Sequence, residues 1–297
     1  MAILVNEKSR VIVQGITGRE GMVRTRLMKD YGTRVIAGVT PGKGGEFVYK
    51  IPVFDSVEDA GEKTGPIDIS VVFVPAALVK NAALEAIDAG VKLIVLIPDR
   101  VPIHDVLEIS RFAQLKGARF VGPNTLGLVS PGKAVIGMIG GRAKKASEWF
   151  RPGPIGVSSR SGGMTSAISY YLTEAGLGQS TSIHVGGDAV VGLSHPDVME
   201  LFERDGQTEL IVMFGEIGST QEERVAKLIE AGKVTKPVIA YIGGKAAKSG
   251  TRFSHASAIV EGSRGSHAGK VEILKKVGAY VVDTIADIPR KAAELIE

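Results

Sequence analysis

The stretch Arg10-Val11-Ile12-Val13-Gln14-Gly15-Ile16-Thr17-Gly18-Arg19-Glu20-Gly21 decides the fold class of this chain. Its apolar, β-branched centre is typical of a buried strand, and the glycine-rich turn that follows leads into a helical pattern over about 18–30. A strand, a glycine-rich turn and a helix in this order are characteristic of the first unit of an open α/β sheet.

The same alternation of short apolar runs and amphipathic stretches continues along the chain. Near-continuous apolar strands between helices indicate parallel sheets that are covered on both faces. We therefore predict an α/β protein with two doubly wound domains, 1–128 and 154–297, and a connection over 129–153, where glycine and proline recur. The main strands are predicted at 10–14, 34–39, 67–74, 92–97, 155–158, 180–185, 210–214 and 237–242.

Composition excludes several classes of protein. The 297 residues are 44% hydrophobic and 23% charged, which is ordinary for a globular protein. The net charge of +4 is spread along the chain and only 5% of residues are aromatic, so we expect no nucleic acid partner. The absence of cysteine excludes thiolate chemistry, and the absence of a long apolar run predicts a cytoplasmic protein without a membrane segment.

The first turn is a candidate phosphate site. Its spacing is G-x-x-G-x-x-G, not the dinucleotide fingerprint G-x-G-x-x-G, although its place between a strand and a helix suits a pyrophosphate. The second predicted strand ends in Thr40-Pro41-Gly42-Lys43-Gly44-Gly45, without an acidic residue for a ribose hydroxyl. Lys43 suits a ligand with an extra phosphate near its ribose, and both coenzyme A and NADP qualify. The alternative is a tight turn beside an incidental lysine.

Three turns in the second half follow predicted strands: Ser159-Arg160-Ser161-Gly162-Gly163, Gly186-Gly187-Asp188 and Gly215-Glu216-Ile217-Gly218. Ligands of open α/β sheets bind beyond the carboxyl ends of the strands, so we expect these turns to share one crevice. The first would expose N–H groups at a helix start. Glu216 could orient an imidazole there for attack on phosphorus.

His255 is the candidate for that imidazole. It stands among small residues in 252–266, close to a loop of glycine, serine and arginine that suits phosphate. The alternative is a structural histidine beside an ordinary turn, and His267 is the closest rival. No spacing predicts a metal site. The segment 243–249 approaches a Walker A loop but has Ala247 where a glycine is required, which argues against a P-loop NTPase.

These motifs together, in this order, resemble the α subunit of succinyl-CoA synthetase (succinate–CoA ligase, ADP- or GDP-forming). The resemblance implies a Rossmann-like CoA-binding domain followed by a flavodoxin-like ligase domain. It implies that His255 is transiently phosphorylated, that Glu216 orients it, and that a β subunit holds the nucleotide with Mg²⁺. The residues that the resemblance assigns to coenzyme A are Thr17, Gly18, Arg19, Glu20 and Lys43 and, with a poorer match, Ile97, Pro98 and Asp99; those assigned to phosphate are Ser161, Gly162 and Gly163.

The sequence departs from the family pattern in ways that bear on the substrate. Ser166 stands where the family usually has a tyrosine near the carboxylate, so the pocket is expected to be larger and its hydrogen bonding different. Ser254-His255-Ala256-Ser257 and 262–266 also differ from the family, but they keep small size and positive charge, which suits phosphate.

The resemblance implies an acid–thiol ligase that interconverts succinyl-CoA, phosphate and a nucleoside diphosphate with succinate, coenzyme A and the triphosphate. A related ligase for malate, citrate or acetate is the nearest alternative. An NAD(P)-dependent oxidoreductase is a different one, against which the missing fingerprint speaks. A third is a regulatory protein that binds coenzyme A without catalysis.

Overall fold

We describe residues 3–246 and 265–296 of a computed structural model. They form two seven-stranded sheets, and most neighbouring strands in both are parallel. The predicted α/β class with two layered sheets is confirmed. His255 lies outside the described residues.

The first sheet has the order β3-β4-β2-β1-β5-β6-β7, in which only β3 runs antiparallel to its neighbour. Because β2 lies on one side of β1 and β5 on the other, the crevice of this sheet opens beyond the carboxyl end of β1. Its strands are β1 (Val11–Gln14), β2 (Val35–Val39), β3 (Phe47–Val48), β4 (Ile51–Phe54), β5 (Ile69–Val72), β6 (Leu93–Leu96) and β7 (Arg119–Val121), and its helices are α1 (Arg19–Tyr31), α2 (Val57–Thr64), α3 (Val79–Asp88) and α4 (Ile103–Lys116).

The second sheet has the order β14-β13-β12-β10-β11-β8-β9, with β10 flanked by β11 and β12. The strands β8 and β9 at one edge are antiparallel to each other, and β8 is also antiparallel to β11. The remaining neighbours are parallel. Its strands are β8 (Gly127–Ser130), β9 (Ala134–Gly137), β10 (Pro152–Ser159), β11 (Gln179–His184), β12 (Leu210–Glu216), β13 (Val238–Gly243) and β14 (Tyr280–Val281), and its helices are α5 (Ala143–Trp149), α6 (Gly162–Glu174), α7 (His195–Arg204), α8 (Gln221–Glu230), α9 (His267–Lys276) and α10 (Asp287–Ile296).

The segment 129–153, predicted as a connection, contains the second half of β8 and all of β9 and α5, and both strands belong to the second sheet. Its glycines are part of this structure. Gly137 has φ +102°, and a Cβ there would lie 2.7 Å from the carbonyl oxygen of Leu126. Such close approach of two backbones requires glycine. The segment has the glycine content of a loop because the close pairing of its strands requires glycine where two backbones meet.

The two sheets share one packed core, in which α1 lies against β9. The hydroxyl of Thr33, buried at the end of α1, donates to the carbonyl of Val135 at 2.8 Å and accepts from its N–H group at 3.0 Å. The N–H of Gly132 donates to the Tyr31 hydroxyl at 3.1 Å. Apolar side chains from both sheets continue this contact, so the halves are not joined by a free linker.

Among the helices of the described ranges, each is too short or too polar to cross a membrane.

Candidate functional site

A cavity of about 610 Å³ opens at the carboxyl ends of β1, β2 and β5. The turn after β1 forms its floor, and Gly21 lets α1 begin close to that turn, because a Cβ at this position would lie 2.1 Å from the Gly15 carbonyl oxygen. The cavity is lined by Gln14, Gly15, Thr17, Gly18, Val39, Thr40, Pro41, Phe73, Val74, Pro75, Leu78, Asn81, Ala82 and Glu85.

Two polar side chains of this lining are fixed by hydrogen bonds. Gln14 donates through Nε2 to the Ala82 carbonyl at 3.0 Å and to Glu85 at 3.2 Å, and its Oε1 accepts from the Ser70 hydroxyl at 2.7 Å. Glu85 also accepts from the Val57 N–H at 2.8 Å. Neither residue is among the predicted site residues, although a glutamine that ends an apolar strand is a usable signal.

Only some of the residues assigned to coenzyme A line this cavity. Thr17 and Gly18 do, and the Thr17 hydroxyl donates to that of Thr40 at 3.2 Å. Arg19, Glu20 and Lys43 are exposed just outside the lining. Glu20 pairs with Arg24 at 3.1 Å, and Lys43 pairs with Glu46 at 3.0 Å. The exposed cations Arg19 and Lys43 therefore lie beside the turns that line the cavity.

The other assigned stretch, 97–99, lies beyond β6 and outside the lining. Ile97 and Pro98 are half-buried, and the exposed Asp99 pairs with Arg100 at 3.3 Å. The Pro98 carbonyl accepts from the N–H of Asn124 at 2.7 Å. This bond joins the stretch to the segment that leads into the second sheet.

In the second sheet, the three predicted turns meet at the carboxyl ends of β10, β11 and β12. Ser161 caps α6, and its hydroxyl accepts from the Met164 N–H at 3.4 Å. Gly162 and Gly163 are the first helical residues, whose N–H groups have no acceptor within a helix. A Cβ at Gly162 would lie 2.4 Å from a Leu126 methyl group, whereas Gly163 is open. Ser166 is half-buried one turn further along α6.

Arg160 and Glu216 form a buried ion pair beside this helix start. The Arg160 guanidinium is fully enclosed, and its Nε donates to Glu216 at 3.3 Å. Its Nη2 reaches the carbonyl oxygens of Asp188 at 3.3 Å and Gly187 at 3.5 Å. Arg160 stands in one of the predicted turns, but its local sequence does not mark it as half of a buried ion pair. The pair fixes one cation and one anion at the strand ends, where an anionic ligand would meet them.

The backbone of Glu216 is held by a second buried cluster. Its N–H donates to Glu222 at 3.0 Å, and Glu222 pairs with Lys270, which is completely buried on α9. Lys270 also pairs with Glu223 at 2.8 Å. The cluster therefore links β12, the start of α8 and α9. The local sequence does not predict this cluster, since nothing beside Lys270 marks that lysine as buried.

Two buried histidines that the sequence analysis passed over support the same turns. His184 accepts from the Leu126 N–H at 2.9 Å and lies 3.0 Å from the Arg160 carbonyl, so Nε2 is its donor. His195 donates to the Phe214 carbonyl at 3.1 Å and accepts from the Ser158 hydroxyl at 2.7 Å. Burial, with help from the charge of Arg160, lowers the pKa of His195 to about 3. Both rings act as neutral hydrogen-bonding groups.

His255 and most of its loop lie outside the described residues, which end at residue 246 and begin again at Gly265. The flanking residues lie at the strand ends. Gly243 ends β13 beside Glu216, and the Gly218 N–H donates to the Gly265 carbonyl at 2.9 Å. Burial and the nearby Lys245 lower the pKa of the rival His267, which is half-buried.

Within residues 3–246 and 265–296, no group of three or more histidine or acidic side chains could hold a metal ion. The carboxylates at the site are instead engaged with Arg160 and Lys270.

Two family models match the chain. A CoA binding domain matches residues 6–99, and a CoA-ligase domain matches residues 158–279. The first match contains the cavity of the first sheet, and the second contains the Arg160–Glu216 pair.

Curated relatives match over the whole length. An ADP-forming succinate–CoA ligase subunit alpha of Aquifex aeolicus is 46% identical, over 100% of this chain and 95% of its own. An Archaeoglobus fulgidus protein of the same name is 42% identical, over 100% and 99%. An ADP-forming sulfoacetate-CoA ligase subunit of Acholeplasma sp is 43% identical, over 100% and 98%.

Among solved structures, ATP citrate lyase from Methanothrix soehngenii, in complex with citrate and coenzyme A, aligns with a TM-score of 0.91 at 21% identity. The alignment covers 99% of this chain, which spans half of the lyase chain, and it shows a common fold. With relatives of 46% and 42% identity along its full length, the chain belongs to the family of succinate–CoA ligase alpha subunits.

Proposed function

We propose that this chain is the alpha subunit of an ADP-forming succinate–CoA ligase and works with a β subunit that binds the nucleotide. The observation that carries the proposal is the meeting of a capped helix start, Ser161–Gly163, with the buried Arg160–Glu216 pair at the strand ends. The full-length relatives of that name support it, and their names support ADP as the phosphoryl acceptor.

Coenzyme A is proposed to bind at the cavity of the first sheet. Thr17 and Gly18 line it, and the free N–H groups at the start of α1 would face a phosphate. Arg19 and Lys43 at its mouth would neutralise further phosphate charge, with Glu20 and the stretch 97–99 completing the site. The match to the CoA binding domain over 6–99 supports this assignment.

The reaction is proposed to proceed in three balanced steps. A phosphate oxygen attacks the thioester carbonyl of succinyl-CoA, the C–S bond breaks, and succinyl phosphate and coenzyme A form. A neutral His255 nitrogen then attacks phosphorus, forming an N–P bond while the bond to the acyl oxygen breaks and succinate leaves. A terminal oxygen of ADP finally attacks the phosphohistidine, giving ATP and the free imidazole.

Glu216 and α6 have separate roles in this scheme. The Glu216 carboxylate would accept a hydrogen bond from one imidazole nitrogen and so direct the other toward phosphorus. Gly162 and Gly163 would bind the phosphoryl oxygens through their N–H groups, and Ser161 would do so through its hydroxyl, at a helix start that is fixed before reaction. Arg160 holds the Glu216 carboxylate in its orientation through the hydrogen bond from Nε at 3.3 Å.

The carboxylate substrate is the open question within the family. Ser166 lies half-buried on α6, four residues after the first helical glycine, and a serine there leaves more room than a tyrosine. A relative at 43% identity is named for sulfoacetate. A ligase for sulfoacetate, malate, citrate or acetate is therefore the second candidate, and comparing kcat/KM for these acids with that for succinate distinguishes the two.

The nucleotide and Mg²⁺ are proposed to belong to the β subunit, because the residues described here offer no metal cluster. A cytoplasmic location is part of the same proposal.

The deciding experiment uses the complex with the β subunit and γ-labelled ATP. We expect acid-labile label on this chain, which is lost upon addition of succinate and coenzyme A. His255→Ala should abolish the label, whereas the control His104→Ala, at an exposed position on α4, should keep it. An unlabelled wild-type chain, or label that persists in folded His255→Ala protein, contradicts the proposal.

A further inference from the structure

Asn124 lies where the two candidate sites approach each other, and its polar groups form hydrogen bonds on both sides. Its N–H donates to the Pro98 carbonyl at 2.7 Å, on the side of the first sheet. Its carbonyl accepts from the Gly187 N–H at 3.0 Å, and its side-chain Nδ2 donates to the Asp188 carboxylate at 3.0 Å, both on the side of the second sheet. One residue thus links the 97–99 stretch to the turn after β11.

The backbone of Asn124 shows what its side chain contributes. With φ +56° it adopts the left-handed conformation, which glycine reaches at no steric cost. Glycine would keep this conformation and both main-chain hydrogen bonds. The one bond that requires asparagine is the bond from Nδ2 to Asp188.

The turn that Asn124 holds also holds Arg160. The carbonyl groups of Gly187 and Asp188 accept from Nη2 of Arg160, and Nε of the same guanidinium donates to Glu216 at 3.3 Å. The guanidinium is planar, so fixing one edge against the turn fixes the direction of the other edge toward Glu216.

The surrounding backbone transmits this constraint. The Gly122 N–H donates to the Val185 carbonyl at 3.2 Å, and the Gly192 N–H donates to the Gly122 carbonyl at 3.0 Å. At Gly186, a Cβ would lie 2.5 Å from the Pro123 carbonyl oxygen. The two segments are therefore closely packed and joined by backbone hydrogen bonds, and the Asp188 turn is in direct contact with Arg160.

We propose that Asn124 is a positioning residue, which acts through Asp188 to orient the Arg160–Glu216 pair relative to the loop after β6. The inference rests on the proposed function. In that function the acyl phosphate forms where coenzyme A ends and must then meet the imidazole that Glu216 directs. A fixed link between the 97–99 stretch and the ion pair holds the groups used in these two steps at a constant position relative to each other.

Asn124→Gly in the complex with the β subunit tests this role. We expect kcat for succinyl-CoA formation to fall about tenfold, which corresponds to about 1.4 kcal/mol. Labelling of this chain by γ-labelled ATP should slow by a similar factor. The KM for coenzyme A should stay within about twofold, because the bond to Pro98 comes from the main chain and is kept.

The matched control is Lys50→Gly, which places glycine at another left-handed position, φ +67°, in the exposed turn between β3 and β4. Its kcat should equal that of wild type. In a double-mutant cycle, Asn124→Gly should not lower kcat further once Asp188→Ala has removed the acceptor.

The two proposals fail in different ways. If the wild-type complex acquires no label, the proposed function is wrong. If wild type is labelled and Asn124→Gly matches Lys50→Gly in kcat, the positioning role is overturned. Additive losses in the double-mutant cycle, or a raised KM for coenzyme A with unchanged kcat, overturn it as well.

Discussion

His195 illustrates at the scale of one residue how an imidazole can lie near a charged site and take no part in proton transfer. The ring is fully buried between the Ser158 hydroxyl and the Phe214 carbonyl. Burial first, and the charges of Arg160 and Lys270 after it, lower its pKa to about 3. A neutral ring that spans β10 and β12 fixes the strand ends that carry Arg160 and Glu216.

This pKa predicts a loss of stability in acid. The unfolded histidine takes up a proton near pH 6.5, whereas the folded ring does so only near pH 3. Between these values the unfolded state binds more protons, so stability falls as the pH falls, by about 1.4 kcal/mol per pH unit. We expect a loss of about 2 kcal/mol from pH 6.5 to pH 5, measured by urea unfolding.

His195→Gln is the comparison, because its amide can still donate to the Phe214 carbonyl but takes up no proton in this range. The variant should be less stable at neutral pH and show a flatter dependence on pH below 6.5. Equal slopes for the two proteins would contradict the prediction.

At the scale of elements, the start of α6 has two roles, one in capping its helix and one proposed in binding phosphate. Ser161 satisfies the Met164 N–H, and the same end of the helix is proposed to receive phosphate. A cap that serves only its helix exists at Ser56, whose hydroxyl accepts from the Asp59 N–H at 3.0 Å at the start of α2.

Ser161→Ala and Ser56→Ala separate these roles. Each should lower the free energy of unfolding by about 1 kcal/mol, the usual cost of losing a serine cap. Only Ser161→Ala should also slow labelling of the chain by γ-labelled ATP, by about tenfold. Unfolding curves and labelling rates measure the two effects, and equal labelling rates in both variants would show that Ser161 has no phosphate role.

Periodicity located the elements that alternate between buried strands and covering helices. The predicted strands at 10–14, 34–39 and 237–242 agree with β1, β2 and β13 within a residue or two, because fully buried parallel strands are continuously apolar. The antiparallel strands β8 and β9 were not predicted, since their glycines are typical of a loop. The burial of Arg160, Lys270 and His195 could not be predicted either, because the groups that contact them come from distant parts of the sequence.

At the scale of the whole molecule, the contact of α1 with β9 makes the two halves one folding unit. The Thr33 hydroxyl makes both of its hydrogen bonds to Val135 in a buried environment, and the core cluster continues from the first sheet into the second. We therefore expect a single cooperative unfolding transition, with equal calorimetric and van't Hoff enthalpies.

Thr33→Val tests this contact. The valine has nearly the same shape but leaves the buried N–H and carbonyl of Val135 without the hydroxyl, at an expected cost of about 3 kcal/mol. The control Thr64→Val loses only a bond from its side chain to the Ala60 carbonyl within α2 and should cost less than about 1 kcal/mol. Calorimetry measures both, and a first transition confined to one half would argue against a shared core.

The interlocking of α1 with β9 also constrains how such chains can be recombined. A chimera that joined the first half of one relative to the second half of another would bring together two contact surfaces that come from different proteins. Its Thr33 equivalent would need a matching strand edge, and its Asn124 equivalent a matching turn. Exchange between genes is thus expected to preserve the two halves as a pair, with insertions and fusions placed at the outer boundaries of the sequence.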